Sequence, residues 1–200
     1  MATNIDLQYI KNLINPDFFP GDQGVLVDSC SAAGEKAELL FQITRKEQKE
    51  YLLVRFDKDD VDIFPYFNDI AGYKKVSDYV LIVQNQENLL FFIIELKRGY
   101  AKVGPQLRAT KLFVEFIINS IIRVNDGLST NFFIGTIGVS LAKIEREREA
   151  KNMRKLKLRV TPCQFDNDNH MNYTKSKSFI LNSVIEAAEY KMFNDLIAAD

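Results

Sequence analysis

Two apolar runs lying close together set most of the limits on this chain. Residues 78–84 (DYVLIVQ) and 89–96 (LLFFIIEL) are apolar at both parities. A strand wet on one side alternates polar and apolar residues, so runs like these belong to strands covered on both faces. The polar stretch Asn85-Gln86-Glu87-Asn88 reads as a four-residue loop joining them into an antiparallel hairpin. Gly104-Pro105 then gives a helix-start signal, with proline at the first helical position. From Gln106 to about Arg123, Leu107, Val114, Ile117, Ile118 and Ile121 keep helical spacing. Phe113, Phe116 and Ile122 widen that stripe, which predicts a mostly buried helix. Asn125-Asp126-Gly127 ends it, and residues 132–139 (FFIGTIGV) read as another core strand. A strand–helix–strand crossover of this length implies a mixed sheet flanked by helices, an α/β chain of the α+β kind.

The flanking stretches are read more loosely. Residues 5–15 carry a short helical stripe that stops near Pro16. Strands are expected at 25–28, 39–44 and 51–56; a helix over 32–42, started by Ser31 and carrying Glu35 and Glu38, is the open alternative for part of that region. The acidic run Asp57-Lys58-Asp59-Asp60-Val61-Asp62 lacks the glycine and terminal glutamate of a calcium loop and reads as solvated surface. A charged helix is expected over 143–155, a short strand over 156–160, loop over 161–177 and a C-terminal helix over 178–197. The whole is read as one domain over 1–200, with an N-terminal helix/β extension (about 1–70) and a C-terminal helical segment (about 178–198).

Composition removes several function classes. With 46% apolar and 26% charged residues the chain is of ordinary globular type. No run reaches the roughly 18–20 apolar residues of a membrane span, and the N-terminus has no signal pattern. Cys30 and Cys163, with no CxxC and no histidine beside them, read as reduced thiols, so the expected location is cytoplasmic. The single histidine, His170, rules out a two-histidine zinc site and an HExxH protease, and it reads as a surface residue. Glycine-rich phosphate loops are absent. Chemistry has to come from carboxylates and lysines.

The hairpin supplies them. If Gln84 pairs with Leu89, paired residue numbers sum to 173 and Asp78 falls opposite Glu95. Opposed residues of an antiparallel pair hold their Cβ atoms about 4.5–5.5 Å apart. Two carboxylates so close repel each other unless a cation lies between them, and a hard divalent ion with oxygen ligands suits that place. Lys97, two residues beyond Glu95, shares its face, where an ammonium can stabilise developing phosphate charge.

Three segments, Lys75-Val76-Ser77-Asp78-Tyr79-Val80-Leu81-Ile82, Phe92-Ile93-Ile94-Glu95-Leu96-Lys97-Arg98-Gly99 and Gln106-Leu107-Arg108, together resemble the core of the PD-(D/E)XK, or restriction-endonuclease-like, nuclease superfamily. Restriction endonucleases, resolvases and many defence and repair proteins belong to it. The resemblance implies an αβββαβ core and a nuclease dependent on Mg²⁺ or Mn²⁺ that hydrolyses phosphodiester bonds of nucleic acid, with DNA the expected substrate. It implies Asp78, Glu95 and the Leu96 backbone carbonyl as metal ligands, Lys97 as the catalytic lysine, and Gln106 as the helix-borne glutamine near the reacting water or the DNA backbone. Ser77 stands where the family name has proline, and Thr110 where one branch has tyrosine. The family often has an acidic residue on its first helix; Glu35 or Glu38 fills that place if 32–42 is helical.

Net charge is −1, so phosphate contacts must come from local patches. Residues 143–159 hold eight basic side chains, Lys151, Arg154 and Lys155 among them, against three glutamates. A second cluster, Lys97, Arg98, Lys102, Arg108 and Lys111, follows the hairpin. The rival reading is a non-catalytic domain of the same fold that binds protein or nucleic acid. A third is an assembly subunit that uses helix 106–123 and Phe64-Pro65-Tyr66-Phe67 as interface. A homodimer or a targeting partner protein is compatible with each.

Overall fold

The computed structural model describes residues 5–32, 35–44, 50–57, 75–97, 104–125, 128–140, 163–174 and 178–199. Among them are three helices, α1 (Leu7–Leu13), α2 (Gly104–Val124) and α3 (Leu181–Ala199). The strands are β1 (Val25–Ala32), β2 (Glu35–Thr44), β3 (Tyr51–Arg55), β4 (Tyr79–Asn85), β5 (Asn88–Lys97), β6 (Asn131–Ser140), β7 (His170–Thr174) and β8 (Ser178–Ile180). They form two mixed sheets, a five-stranded one in the order β3-β4-β5-β6-β7 and a three-stranded one in the order β1-β2-β8. The chain is of the α+β class. No helix among the described residues is long and apolar enough to cross a membrane.

The doubly apolar hairpin sits at the centre of the large sheet because its two faces feed two cores. Tyr79, Leu81, Phe92, Ile94 and their alternates join one; Val80, Ile82, Phe91, Ile93 and theirs join the other. The first core is closed by α3 and the small sheet, through residues such as Phe41, Phe179 and Val184. The second is closed by α1 and α2, through Ile10, Leu107, Val114 and Ile118. β3, β4 and β5 run as an antiparallel meander, whereas β6 lies parallel to β5 and β7 parallel to β6. α2 is therefore the crossover from the end of β5 to the start of β6, and its N-terminus lies at the end of the sheet where β5 finishes.

The expected register holds along the whole hairpin, from Tyr79↔Ile94 to Asn85↔Asn88, each pair summing to 173. The loop is shorter than expected. Asn85 and Asn88 also pair, so a two-residue turn, Gln86-Glu87, makes the reversal, with Gln86 at φ 54°. Two-residue hairpin turns need positive φ at their first position to match strand twist, and here a non-glycine residue adopts it.

Other expectations are corrected. The alternative left open for 32–42 falls to strand and not helix: Ala32 ends β1 and Glu35–Gln42 lie in β2, and these two strands, longer than the expected 25–28 and 39–44, pair antiparallel and bury Leu26, Phe41 and Ile43. The stretch 161–177 is not all loop. Met171 and Tyr173 alternate into the core at 2% exposure each and make β7, an edge strand whose intervening polar residues hid it. The C-terminal helix is preceded by β8, which pairs in parallel with β2. α2 buries one stripe only; Leu112, Phe116, Ile122 and Val124 are exposed. In the N-terminal region β3 pairs along β4, and just before α1 the Ile5 N–H donates to Thr130 Oγ1 (2.9 Å). The helix expected at 143–155, the strand at 156–160, residues 58–62 of the acidic run and the aromatic patch 64–67 lie outside the described residues.

Side-chain groups complete the sheets where backbone pairing stops. The Gln23 amide pairs with the outer edge of β3 like a short strand, its Oε1 accepting from Leu53 N–H (2.7 Å) and its Nε2 donating to Leu53 O (3.2 Å). This blunts an edge that would otherwise offer unpaired groups to another chain. The Tyr79 hydroxyl ties the large sheet to β1, accepting from Val27 N–H (3.0 Å) and donating to Val27 O (2.9 Å).

Candidate active site

Asp78 immediately precedes β4, and Glu95, Leu96 and Lys97 close β5. Asp78 lies at a bend one step before the first pair of the ladder, Tyr79↔Ile94, and continuing the register by that step sets it level with Glu95. The Leu96 N–H donates to Asp78 Oδ2 at 2.6 Å, so the backbone groups of Leu96 point toward β4. Successive residues of a strand address opposite neighbours. Glu95 therefore addresses β6, where it pairs with Gly138. The Leu96 carbonyl, which leaves the strand on the same side as its N–H, opens toward the Asp78 side.

Glu95 is 1% exposed and is the one buried charged side chain among the described residues. Asp78 is half-buried. Both have the phase of Val80 and Ile93, so they lie on the α2 face of the sheet. A carboxylate buried in that wall is costly unless a cation or hydrogen bonds compensate it.

α2 is fastened to this corner by a buried hydrogen bond from the Ser77 N–H to Thr110 Oγ1 (2.7 Å), both residues being 0% exposed. Ser77 thus uses the N–H that a proline would lack. One helical turn earlier, Gln106 is half-buried on the same side of α2 as Thr110, displaced about 6 Å toward the end where β5 finishes. The first turn of α2 also brings unsatisfied N–H groups and the positive end of the helix dipole to that end of the sheet. Exposed Arg108 lies against it: a methyl group on Gly104 would come within 3.3 Å of its Nη1.

Lys97 is the last residue of β5, two positions past Glu95, and pairs with Ser140 at the end of β6. Glu35 and Glu38 are on β2, paired with Ala32 and Ser29. The small sheet that holds them packs on the other face of the large sheet, so the acidic helix they were to form is absent. Arg98, Lys102, Lys151, Arg154 and Lys155 lie outside the described residues. No group of three or more histidine, cysteine, aspartate or glutamate side chains suited to a metal occurs among the described residues. Two carboxylates and a carbonyl remain, a donor set that fits Mg²⁺, which commonly takes one or two carboxylates and fills its shell with water and substrate phosphate.

His170 was expected in a surface loop. It is half-buried at the start of β7, paired with Thr136, with Nδ1 3.0 Å from Thr136 Oγ1. Through the pairings Glu95↔Gly138 and Thr136↔His170 it shares the α2 face with Glu95, two strands away. Strand spacing makes that about 10 Å laterally, too far to share a ligand with Glu95. Alternation of His170 and Asn172 with buried Met171 and Tyr173 was the sequence signal for this placement.

Comparison with protein-family models, with curated proteins and with solved structures gives no match to this chain.

Proposed function

We propose that this protein is a metal-dependent phosphodiester hydrolase acting on nucleic acid, with DNA as the substrate, whose site is Asp78, Glu95, Lys97 and Gln106 with the Leu96 carbonyl. The observation that carries the reading is the hydrogen bond from the Leu96 N–H to Asp78 Oδ2, which brings Asp78 to the end of β5 beside Glu95, a carboxylate buried at 1% exposure. The order α1-β3-β4-β5-α2-β6 around the large sheet supports a restriction-endonuclease-like αβββαβ core.

Asp78, Glu95 and the Leu96 carbonyl would hold Mg²⁺ or Mn²⁺, which when bound supplies a Lewis acid for the phosphate and lowers the pKa of water. Asp78, held by the Leu96 N–H, keeps one carboxylate oxygen in fixed orientation. Lys97 would supply a positive charge for the negative charge that builds up on the scissile phosphate, and a proton for the leaving oxygen. Gln106, on the rigid first turn of α2, orients the attacking water or the neighbouring phosphate. The basic residues of the stretch 143–159 would supply backbone contacts along the nucleic acid.

The test is cleavage of a labelled panel of DNA and RNA, single- and double-stranded, with Mg²⁺, Mn²⁺ or chelator. Wild type is expected to cut with metal only, and Asp78→Asn and Lys97→Ala are expected not to cut. Cutting that persists in Asp78→Asn removes the site from the proposal. Metal binding with no cutting of any substrate favours a non-catalytic binding module on the same fold.

A further inference from the structure

We propose that Thr110 is a positioning residue for the metal site, acting on Asp78 through the backbone of Ser77. The proposal rests on the reading of Asp78 and Glu95 as metal ligands. The Ser77 N–H donates to Thr110 Oγ1 at 2.7 Å, and both residues are 0% exposed, so water does not compete for either group. Asp78, the next residue, lies at a bend just outside the ladders of β4, which both begin at Tyr79. The backbone that carries Asp78 is therefore held by β4 on one side and by α2 on the other. Its carboxylate is fixed in turn by the Leu96 N–H at 2.6 Å.

Packing alone does not supply this. Val76 is buried in the core on the α2 side, but apolar contact has no direction. A hydrogen bond to a side chain on a long helix does, and it fixes the peptide that leads into Asp78. Sites for ligands and metals need their groups held to within about 0.5 Å. The other buried residues of α2 are Leu107, Val114, Ile118 and Ile121, all apolar, so packing does not call for a hydroxyl at 110. The tether to Ser77 does. A bond of the same chemistry lies at the far end of the sheet and serves as the control. There the Ile5 N–H donates to Thr130 Oγ1 at 2.9 Å, also buried. Thr130 precedes β6, whose start pairs with the start of β5, whereas Glu95 lies toward the end of β5.

Calorimetric titration of the full chain with Mn²⁺ tests this, for wild type, Thr110→Val, Thr110→Ser and Thr130→Val, each first shown to be folded. Removing a group that orients a metal ligand costs about 10–100-fold in affinity, and one acting through the backbone belongs at the lower end. Thr110→Val is therefore expected to bind Mn²⁺ about tenfold more weakly than wild type. Thr110→Ser keeps the acceptor, and Thr130→Val breaks only the distant bond; both are expected to bind as wild type does. By reciprocity, bound metal strengthens the tether by the same factor. Saturating Mg²⁺ is thus expected to slow amide exchange at Ser77 in wild type by about tenfold relative to Ile5, followed by NMR. This second arm needs no variant to fold. Thr110→Val binding as tightly as wild type overturns the proposal, as does an equal loss in Thr110→Ser or Thr130→Val. Exchange at Ser77 that Mg²⁺ leaves unchanged relative to Ile5 overturns it too. Wild type that binds neither ion removes the metal reading itself, and the role of Thr110 with it.

Discussion

Gly135→Ala is expected to destabilise the protein, although a glycine in mid-strand usually invites the change. Relative to glycine, alanine in a strand gains about 0.5–1 kcal/mol by restricting the unfolded chain. At this position a Cβ would lie 2.7 Å and 2.9 Å from two atoms of the Phe165 ring and 3.0 Å from Phe133 Cε1. Carbon atoms rest at about 3.5–4.0 Å, so the Phe165 ring must retreat by roughly 0.8 Å. It has little room. Phe165 stacks on Phe92 with centroids 6.1 Å apart and meets Phe133 edge-on at 5.4 Å. Overpacking costs about 1–3 kcal/mol, and weakening two aromatic pairs adds about 0.5–1.5 kcal/mol. The steric cost wins, for a net loss of about 1–3 kcal/mol and a fall in Tm of roughly 3–10 °C. Urea unfolding of wild type, Gly135→Ala, Phe165→Leu and the double variant measures both the loss and its source. Gly21→Ala, where no atom lies within 4 Å of the new methyl, is the neutral control. A Gly135→Ala protein as stable as wild type, or one whose loss is the same with Phe165→Leu, would refute the packing of the 163–170 segment over β6.

Three further outcomes follow from buried polar groups. Thr110→Val strands the Ser77 N–H and is expected to cost about 1–3 kcal/mol in urea unfolding, whereas Thr110→Ser keeps the acceptor and loses only about 0.8 kcal/mol for a methyl group. Ser77→Ala is expected to be neutral or mildly stabilising, within about 1 kcal/mol, because Ser77 Oγ is buried with no hydrogen-bond partner among the described residues; a larger loss by thermal denaturation would mean the hydroxyl has a partner. Burial pushes the Tyr173 hydroxyl above its ordinary pKa of 10.0, opposed by the hydrogen bond from Ile180 N–H and aided by Cys163. The folded state therefore holds this proton more tightly than the unfolded state. The associated stability is fully present below pH 10.0 and is lost as pH rises through the higher folded value. Tyr173→Phe is expected to flatten that alkaline decline, and an unchanged slope would contradict it.

How far the sequence revealed this structure depends on how local each determinant is. The central hairpin and its register, from Tyr79↔Ile94 to Asn85↔Asn88, were legible because the spacing of one short turn fixes them both. The turn itself was misjudged by one pair: Asn85 and Asn88 are polar residues at the wet end of the sheet and look like loop. β8 gave no local signal, since three residues pair in parallel with β2, more than 130 positions earlier. β7 was masked by its exposed alternate residues. The 32–42 region carries both helical spacing and strand-forming residues, and the burial of Phe41 and Ile43 against the hairpin decided for strand. At the site, Gln106 was read from its place at a helix start. The contribution of Thr110 was not readable, because it depends on a hydrogen bond to a residue 33 positions away.

The central claim is that Asp78 and Glu95 together hold a divalent cation. The most direct measurement is calorimetric titration of the full chain with Mn²⁺, for wild type, Asp78→Asn and Glu95→Gln, each first shown to be folded. The account predicts saturable binding by wild type and a loss of at least tenfold in affinity in each variant. Wild type that binds no Mn²⁺, or either variant binding as tightly as wild type, would contradict it.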